Sequence, residues 1–305
     1  MKGRVIKSTG SWYDVLMPSG QVYAARLRGK FKIKGIRATN PIAVGDWVEV
    51  QEEGTDSWLI TAIAPRENYM IRKSIKKSSH GHMIAANLDQ AVVVASLVFP
   101  RTSLGFIDRF LVTAETFRIS AGIIFNKADL LDDAGIDYMN HLIGIYEKLG
   151  YRCAVTSATE QQGLDGVKAL LDQKVTLLSG HSGVGKSTLV NQMAPGIAQK
   201  TSEVSTFANK GKHTTTFAEM FEVWASTFII DTPGIKELGL LDIEAEELSH
   251  YFPEMRDLLG ACKYHNCTHT HEPGCAVQQA VDEGLIAPER FTSYLSMLEN
   301  DDSHR

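Results

Sequence analysis

The sequence of 305 residues has few cysteines and no long apolar run. No stretch approaches the roughly 18 consecutive apolar residues needed to cross a bilayer. The first ten residues also lack the apolar core of a signal peptide. Three of the four cysteines fall within fourteen positions, which suits a metal site in a reducing compartment better than a set of disulfides. We therefore expect a cytoplasmic protein of two or three domains.

Acidic residues are scarce only near the amino terminus. Residues 1–77 carry 14 Lys and Arg against 7 Asp and Glu, whereas the rest of the chain carries 17 against 29. A basic segment on an otherwise acidic protein suggests an anionic partner, most simply nucleic acid. A solvated basic face without any partner would give the same balance.

The first 65 residues contain short alternating apolar runs separated by Gly and Pro. The predicted strands are residues 4–7, 12–16, 21–26, 46–50 and 58–63. Five short strands in so few residues are typical of a small barrel, and we predict an OB-fold. Residues 29–37 alternate cations with apolar side chains, a pattern that fits contact with a phosphate backbone. An exposed edge strand protected by lysines would show the same pattern.

After residues 66–88, which we interpret as a linker, the pattern becomes that of an α/β domain. The apolar run at residues 90–96 is typical of a strand covered on both faces. The strands predicted next are 121–125, 152–156 and 174–179, alternating with helices near 104–117, 138–149 and 164–171. This alternation predicts a parallel sheet with helices on both faces, which binds ligands at the carboxyl ends of its strands.

Residues 180–188, G-H-S-G-V-G-K-S-T, match the phosphate-binding pattern G-x-x-x-x-G-K-[ST] and are called the phosphate loop below. They follow a predicted strand and begin a predicted helix, whose amino terminus attracts anions. We expect Lys186 to reach the outer phosphates and the Ser187 hydroxyl to bind Mg²⁺; the ring of His181 is interpreted as structural. The predicted nucleotide-binding residues here are Gly180, His181, Ser182, Gly183, Val184, Gly185, Lys186, Ser187 and Thr188.

Two further motifs predict that the base is guanine. Asn126, Lys127 and Asp129 form N-K-x-D directly after a predicted strand. The Asp129 carboxylate can accept two hydrogen bonds from the N1–H and 2-amino groups of guanine, and adenine offers neither in that geometry. Asn126 would bond the other edge of the base or hold the loop, while the stem of Lys127 would cover the ring. Ser157 and Ala158 follow the next strand, where a backbone N–H can contact the guanine oxygen.

Residues expected to respond to the third phosphate lie after the phosphate loop. Asp231 and Gly234 delimit D-x-x-G, in which Asp231 would hold Mg²⁺ through water and the Gly234 N–H would contact the γ-phosphate. Thr215, preferred to Thr214, would complete the Mg²⁺ shell from a first switch segment. Most GTPases carry the phosphate loop first, but here the guanine motifs precede it, so the motif order is circularly permuted.

A metal site follows the permuted motifs. The spacing Cys-x₄-Cys-x-His-x₅-Cys supplies three thiolates and an imidazole, a closed tetrahedral set for one structural Zn²⁺. The predicted ligands are Cys262, Cys267, His269 and Cys275, with His265 or His271 as alternatives to His269. Helices are predicted at residues 244–259 and 288–299, so we expect a mostly helical zinc-binding module.

The basic barrel, the permuted motifs and the cysteine-histidine module together resemble the bacterial ribosome small-subunit-dependent GTPase A family, over essentially the whole chain. The resemblance implies an OB-fold RNA-binding domain at 1–68, a circularly permuted GTPase domain at 69–240 and a zinc-binding domain at 241–305. It implies a GTPase that acts in late maturation of the small ribosomal subunit. Such a protein binds rRNA, is stimulated by the subunit and leaves it after GTP hydrolysis.

The resemblance also implies a catalytic residue. Many small GTPases have Gln directly after D-x-x-G to orient water, but this sequence has Ile235. The family's candidate for that task is His213, a titratable group in the switch segment; a surface histidine that packs on the partner is the alternative. Relatives with a basic carboxyl-terminal extension exist, but residues 299–305 are not basic enough to predict an RNA-binding tail.

Three rival functions are compatible with parts of the pattern. The first is an RNA-binding scaffold in which GTP is only a conformational ligand. The second is a GTPase with a membrane or signalling partner; the lack of a lipid anchor or basic amphipathic helix argues against a membrane role. The third, an ATP-dependent enzyme, conflicts with Asp129. Nothing in the sequence requires a dimer, so we expect a monomer.

Overall fold

The amino-terminal strands close into a barrel. The computed structural model describes residues 1–27, 41–53, 57–73, 81–194, 218–231 and 243–299. The five barrel strands are β1 (Lys2–Ser8), β2 (Tyr13–Leu16), β3 (Val22–Leu27), β4 (Trp47–Glu53) and β5 (Ser57–Ile63). β1 pairs with both β2 and β4, and β3 pairs in parallel with β5, so the ladder returns to its start. The predicted OB-type barrel is therefore confirmed, while the basic stretch 29–37 lies outside the described residues.

Alternation of apolar and polar residues along the barrel strands explains its core. Val5, Val15, Val48 and Ile60 point inward and are completely buried. Because successive side chains of a strand face opposite sides, the polar residues between them remain on the outer surface.

A two-stranded hairpin replaces the predicted linker at residues 66–88. β6 (Tyr69–Lys73) pairs antiparallel with β7 (Gly81–Ala86). Met70 and Ala85 of these strands are completely buried in the core of the α/β domain. The linker interpretation was wrong because each strand contributes only a few apolar residues, and the polar stretch between them dominates the local composition.

The central sheet has the predicted parallel arrangement. Its strands are β8 (Gln90–Ala95), β9 (Ser120–Asn126), β10 (Arg152–Thr156), β11 (Val175–Ser179), β12 (Glu219–Trp224) and β13 (Thr227–Asp231). Their spatial order is β10-β9-β8-β11-β13-β12, with only β12 antiparallel to its neighbour. Every residue of β8 and β11 is buried, as expected for strands covered on both faces. β11 thus lies between a strand that precedes it and one that follows it in the chain.

Helices cover both faces of this sheet. They are α1 (Leu104–Thr116), α2 (Asp133–Lys148), α3 (Leu164–Leu171) and α4 (Lys186–Met193). α1 and α2 pack into one apolar cluster, whereas α3 and α4 pack into a second cluster on the other face. α2 begins five residues before the predicted start because the Asp132 carboxylate accepts a hydrogen bond from the Gly135 N–H at 2.8 Å and caps the helix.

The carboxyl-terminal residues 243–299 are called the C-terminal module below, and their regular secondary structure is helical. A 3₁₀-helix, Leu248–Tyr251, is followed by α5 (Pro253–Arg256), α6 (Ala276–Asp282) and α7 (Pro288–Leu298). The single helix predicted at 244–259 was wrong, because Pro253 lacks an N–H and holds Phe252 in an extended conformation. The helix predicted at 288–299 is confirmed, and α6 was not predicted.

Barrel and central sheet are continuous. β1 of the barrel pairs antiparallel with β12, where Lys7 lies opposite Glu219, and the two side chains form an ion pair at 3.3 Å. The five barrel strands and the six central strands therefore form one eleven-stranded sheet, from which the β6–β7 hairpin is separate. Among the described residues, no helix is both long and apolar enough to span a membrane.

Candidate functional site

The phosphate loop connects the buried strand β11 to the first turn of α4. Gly183 and Gly185 have φ values of +83° and +96°, which favour glycine. Gly180 approaches the carbonyl oxygen of Val94 so closely that a Cβ there would overlap it. Val184 is buried beneath the loop, whereas Ser187 and Thr188 are exposed at the start of α4. The predicted strand, loop and helix are thus all present in the required order.

The Lys186 side chain folds back over the first residues of the phosphate loop. Its Nζ donates hydrogen bonds to the carbonyl oxygens of Gly180 at 2.5 Å and His181 at 2.9 Å. Burial lowers the pKa of the Lys186 ammonium, and the nearby Asp231 carboxylate opposes that shift. The positive charge is therefore held inside the curve of the phosphate loop.

Asn126 joins three segments that are far apart in the sequence. Its side-chain amide donates to the carbonyl oxygen of Val184 at 2.8 Å, and its Oδ1 accepts from the N–H of Ala158 at 3.1 Å. The residue is 4% exposed. A Cβ on Gly185 would collide with the Asn126 amide, so this glycine is needed for the contact as well as for the turn. The N-K-x-D, S-A and phosphate-loop motifs consequently lie at one site.

The other two guanine-motif side chains are also held by neighbours. The Ser157 hydroxyl donates to Asp129 Oδ1 at 2.5 Å, which fixes one oxygen of an otherwise exposed carboxylate. Lys127 has a left-handed backbone, φ +66°, and its Nζ donates to the carbonyl oxygen of Phe99 at 2.5 Å. Phe99 belongs to the loop between β8 and α1, and sequence reasoning gave no indication of this contact.

Asp231 ends β13 beside the phosphate-loop strand. It lies opposite Leu178 of β11 in the parallel ladder, and Leu178 is two residues before the start of the phosphate loop. Its carboxylate is thus on the same sheet edge as Lys186 and Asn126. Three other predicted residues, His213, Thr215 and Gly234, lie outside the described residues.

The four predicted metal ligands converge in the C-terminal module. The ligand atoms of Cys262, Cys267, His269 and Cys275 all lie within 4.8 Å of one another. His269 Nδ1 is 3.6 Å from the Cys262 sulfur and 3.4 Å from the Cys275 sulfur, and those two sulfurs are 4.0 Å apart. A tetrahedral site with metal–sulfur bonds of about 2.3 Å requires sulfur–sulfur edges of about 3.8 Å. The donor set and its spacing therefore fit a tetrahedral metal ion.

Of the three candidate histidines, His269 is the one that faces the sulfur atoms. It is 5% exposed. His265 and His271 are exposed, and His271 Nδ1 instead lies 2.8 Å from the Thr270 hydroxyl. The geometry thus selects His269 among the alternatives.

Hydrogen bonds with two neighbouring side chains hold the loop that carries His269. Glu272 accepts hydrogen bonds from the backbone N–H groups of Thr268, Thr270 and His271 and from the Thr268 hydroxyl. Burial raises the pKa of the Glu272 carboxyl, but these hydrogen bonds outweigh it and hold the pKa well below its usual range. The Tyr294 hydroxyl donates to the Thr268 carbonyl oxygen at 2.8 Å. Sequence reasoning missed both Glu272 and Tyr294.

Comparisons with known proteins agree over the whole chain. The RsgA GTPase family model matches residues 63–241, and the RsgA N-terminal domain model matches residues 2–60. A curated relative from Bacteroides thetaiotaomicron, small ribosomal subunit biogenesis GTPase RsgA 2, is 52% identical and covers 98% of this chain and 97% of its own. The chain belongs to the RsgA GTPase family. A relative of the same family name from Cytophaga hutchinsonii is 51% identical, with all of both chains covered.

Solved structures give the same result for the fold of this RsgA-family chain. The crystal structure of YjeQ from Thermotoga maritima is 32% identical, covers 100% of this chain and 99% of its own, and superposes with a TM-score of 0.80. The structure of YloQ, described as a circularly permuted GTPase, is 30% identical with a TM-score of 0.75. The predicted permuted GTPase fold is therefore confirmed.

One buried charge cluster in this family member had no signal in the sequence. Arg290 of α7 is 1% exposed, and it donates to Asp108 of α1 at 2.6 Å and to Glu254 of α5 at 2.7 Å. Its guanidinium also lies over the Phe252 ring, 4.6 Å from the ring centroid. The cluster connects the C-terminal module to the GTPase core.

Proposed function

We propose that this chain is a GTP-hydrolysing assembly factor for the small ribosomal subunit, acting in the cytoplasm during late maturation. The proposed nucleotide site rests on the two hydrogen bonds of the Asn126 side-chain amide, which hold the phosphate loop and the S-A segment together. Guanine recognition and phosphate binding then occur at one sheet edge. The relatives named as small ribosomal subunit biogenesis GTPases support the choice of partner.

In this proposal each predicted nucleotide-binding residue has a defined role. Asp129 reads guanine, while Asn126 and Ser157 hold its loop and its carboxylate in place. The S-A segment, whose Ala158 N–H is held by Asn126 Oδ1, lies beside the base, and the stem of Lys127 covers its ring. The N–H groups of the phosphate loop and the Lys186 ammonium bind the phosphates.

Mg²⁺ would be held by the hydroxyls of Ser187 and Thr215 and, through water, by Asp231. An ion held there would neutralise charge that develops on the phosphates during transfer. Gly234 contacts the γ-phosphate, and His213 orients the attacking water. The exposed Ser187 hydroxyl and the position of Asp231 beside the phosphate-loop strand support this assignment.

The flanking domains bind RNA and respond to the subunit. We divide the chain into a barrel at 1–68, a GTPase domain at 69–240 and a zinc-binding domain at 241–305. Basic residues of the barrel contact rRNA, and the metal held by three cysteines and His269 is one structural Zn²⁺. The protein acts as a monomer, and GTP hydrolysis releases it from the subunit.

GTP hydrolysis tests this function directly. Purified protein is assayed alone, with small ribosomal subunits, and with large subunits as the matched control. We expect slow turnover alone, strong stimulation by small subunits and none by large subunits. Equal slow turnover in all three would contradict the ribosomal partner, whereas no turnover in any of them would support an RNA-binding scaffold that uses GTP only as a conformational ligand.

A further inference from the structure

The first turn of α1 packs against the phosphate loop. The Phe106 ring lies on the His181 ring with centroids 3.9 Å apart and planes inclined by 32°. Just before α1, Pro100 Cδ lies 3.4 Å from the point where a Cβ on Gly183 would be. The Ser103 hydroxyl accepts the Phe106 N–H at 3.2 Å and so fixes where α1 begins. Through Phe106, α1 therefore contacts the phosphate loop at His181, and the segment just before α1 runs beside Gly183.

The same helix is held from its other side by the C-terminal module. Asp108, two residues beyond Phe106, is completely buried and accepts hydrogen bonds from Arg290 at 2.6 Å and the Tyr146 hydroxyl at 3.0 Å. Arg290 also makes two hydrogen bonds to Glu254, at 2.7 and 3.3 Å. Val112, one turn later, is part of the apolar core of the C-terminal module.

These contacts fix the helix in one position. Apolar side chains can slide or repack, and they often stabilise an interface as well as buried charges do. A planar guanidinium bonded to two carboxylates accepts only a narrow range of positions for all three groups. Arg290 therefore specifies the placement of α1 more narrowly than apolar packing alone.

We propose that Arg290 and Phe106 are positioning residues for the nucleotide site, through which the C-terminal module sets the geometry of the phosphate loop. Arg290 fixes α1, and Phe106 of α1 fixes His181. The inference rests on the proposed nucleotide site. A loop whose N–H groups are already in position binds phosphates without first being ordered. Loss of either residue therefore weakens nucleotide binding and raises KM more than it lowers kcat.

The test uses the full-length, metal-loaded protein and a fluorescent GDP analogue. Arg290→Met alone would leave two buried carboxylates unpaired, so it is combined with Asp108→Asn and Glu254→Gln in a triple variant that removes all three charges. Phe106→Leu interrupts the second contact. His141→Ala is the matched control, because the His141–Glu289 pair joins α2 to α7 without involving α1.

We expect the triple variant and Phe106→Leu each to raise the dissociation constant for GDP about threefold to tenfold, which lies within the range of about twofold to thirtyfold for mutations that alter coupling between distant sites. Combining the triple variant with Phe106→Leu should raise the dissociation constant by less than the product of the two separate factors. Both variants interrupt the same series of contacts, from the C-terminal module through α1 to His181. His141→Ala should leave the dissociation constant unchanged. Circular dichroism and bound metal verify that each variant is folded.

Two results would overturn the inference. One is an unchanged dissociation constant in a folded, metal-loaded triple variant. The other is a combined effect equal to the product of the separate effects, which would mean that the two residues act independently. Failure of the unmodified protein to bind GDP would instead contradict the proposed function, so the two failures are distinguishable.

Discussion

Asn126 and Val184 are 58 positions apart in the sequence, yet the amide of one donates to the carbonyl oxygen of the other at 2.8 Å. The first residue belongs to the guanine motif and the second to the phosphate loop. Their hydrogen bond is buried, so no water can replace it without rearrangement. It holds the two motifs at a fixed separation.

Removing the Asn126 side-chain amide should disrupt both the guanine motif and the phosphate loop. Asn126→Ala leaves the Val184 carbonyl and the Ala158 N–H without their buried partner, a loss of about 1–3 kcal/mol per unsatisfied group. We expect at least a tenfold weaker affinity for GDP and a lower melting temperature. Isothermal titration and thermal denaturation measure the two effects. Asn140→Ala, on the exposed face of α2, serves as the control, and equal affinities for the two variants would contradict the role of Asn126.

Base specificity should depend on Asp129. Asp129→Asn replaces a carboxylate that accepts two hydrogen bonds with an amide whose NH₂ group donates and whose oxygen accepts. We expect the preference to move from guanine to xanthine nucleotides, because xanthine carries an oxygen in place of the 2-amino group. Competition between GTP and xanthosine triphosphate measures this base preference. Asp137→Asn on α2 should keep the guanine preference; a variant Asp129→Asn that also kept it would disprove the assignment.

Metal removal should unfold the C-terminal module. Structural zinc contributes about 10–16 kcal/mol to the folding of small domains, and here all three ligand cysteines also belong to the packing of the module's apolar core. We expect about one zinc ion per chain by elemental analysis, and loss of helical signal on chelation. Cys275→Ser should lose the ion, whereas Cys153→Ser, on β10 away from the cluster, should retain it. Full metal content in Cys275→Ser would refute the site.

If His213 is catalytic, its loss should lower kcat without weakening nucleotide binding. His213→Ala should lower subunit-stimulated kcat by about a hundredfold, the lower end of the effect of a general acid–base group, with little change in GDP affinity. Single-turnover hydrolysis with small subunits measures the chemical step. The exposed His141→Ala serves as the control. A loss confined to subunit binding, with normal turnover once bound, would favour a residue that packs on the partner.

Motifs with fixed spacing were predictable from the sequence because the chemistry requires particular residues at particular intervals. The glycines of the phosphate loop, Asn126 and Asp129, and the cysteines of the metal site are of this kind. The completely buried strand β8 was also predictable, since an unbroken apolar run requires cover on both faces. These features could be predicted without knowledge of the tertiary contacts.

Contacts between distant segments were not predictable. Arg290 and Asp108 are 182 positions apart, and a charged side chain in a helix ordinarily faces solvent. Periodicity indicates that a residue is buried but not which residue it meets. The hairpin of β6 and β7 was missed for a related reason, because Met70 and Ala85 are buried only through packing against the α/β core.

The strand order has a consequence during synthesis. Chains grow from the amino terminus, and domains generally fold as their residues become available. Of the six central strands, β8, β9 and β10 emerge first and can pair in parallel, but the other edge of β8 has no partner until β11 is made. A nascent or truncated chain that stops before β11 therefore presents an apolar strand with an open edge, which is prone to aggregation. The permuted order thus makes the most buried part of the sheet the most vulnerable part of the growing polypeptide.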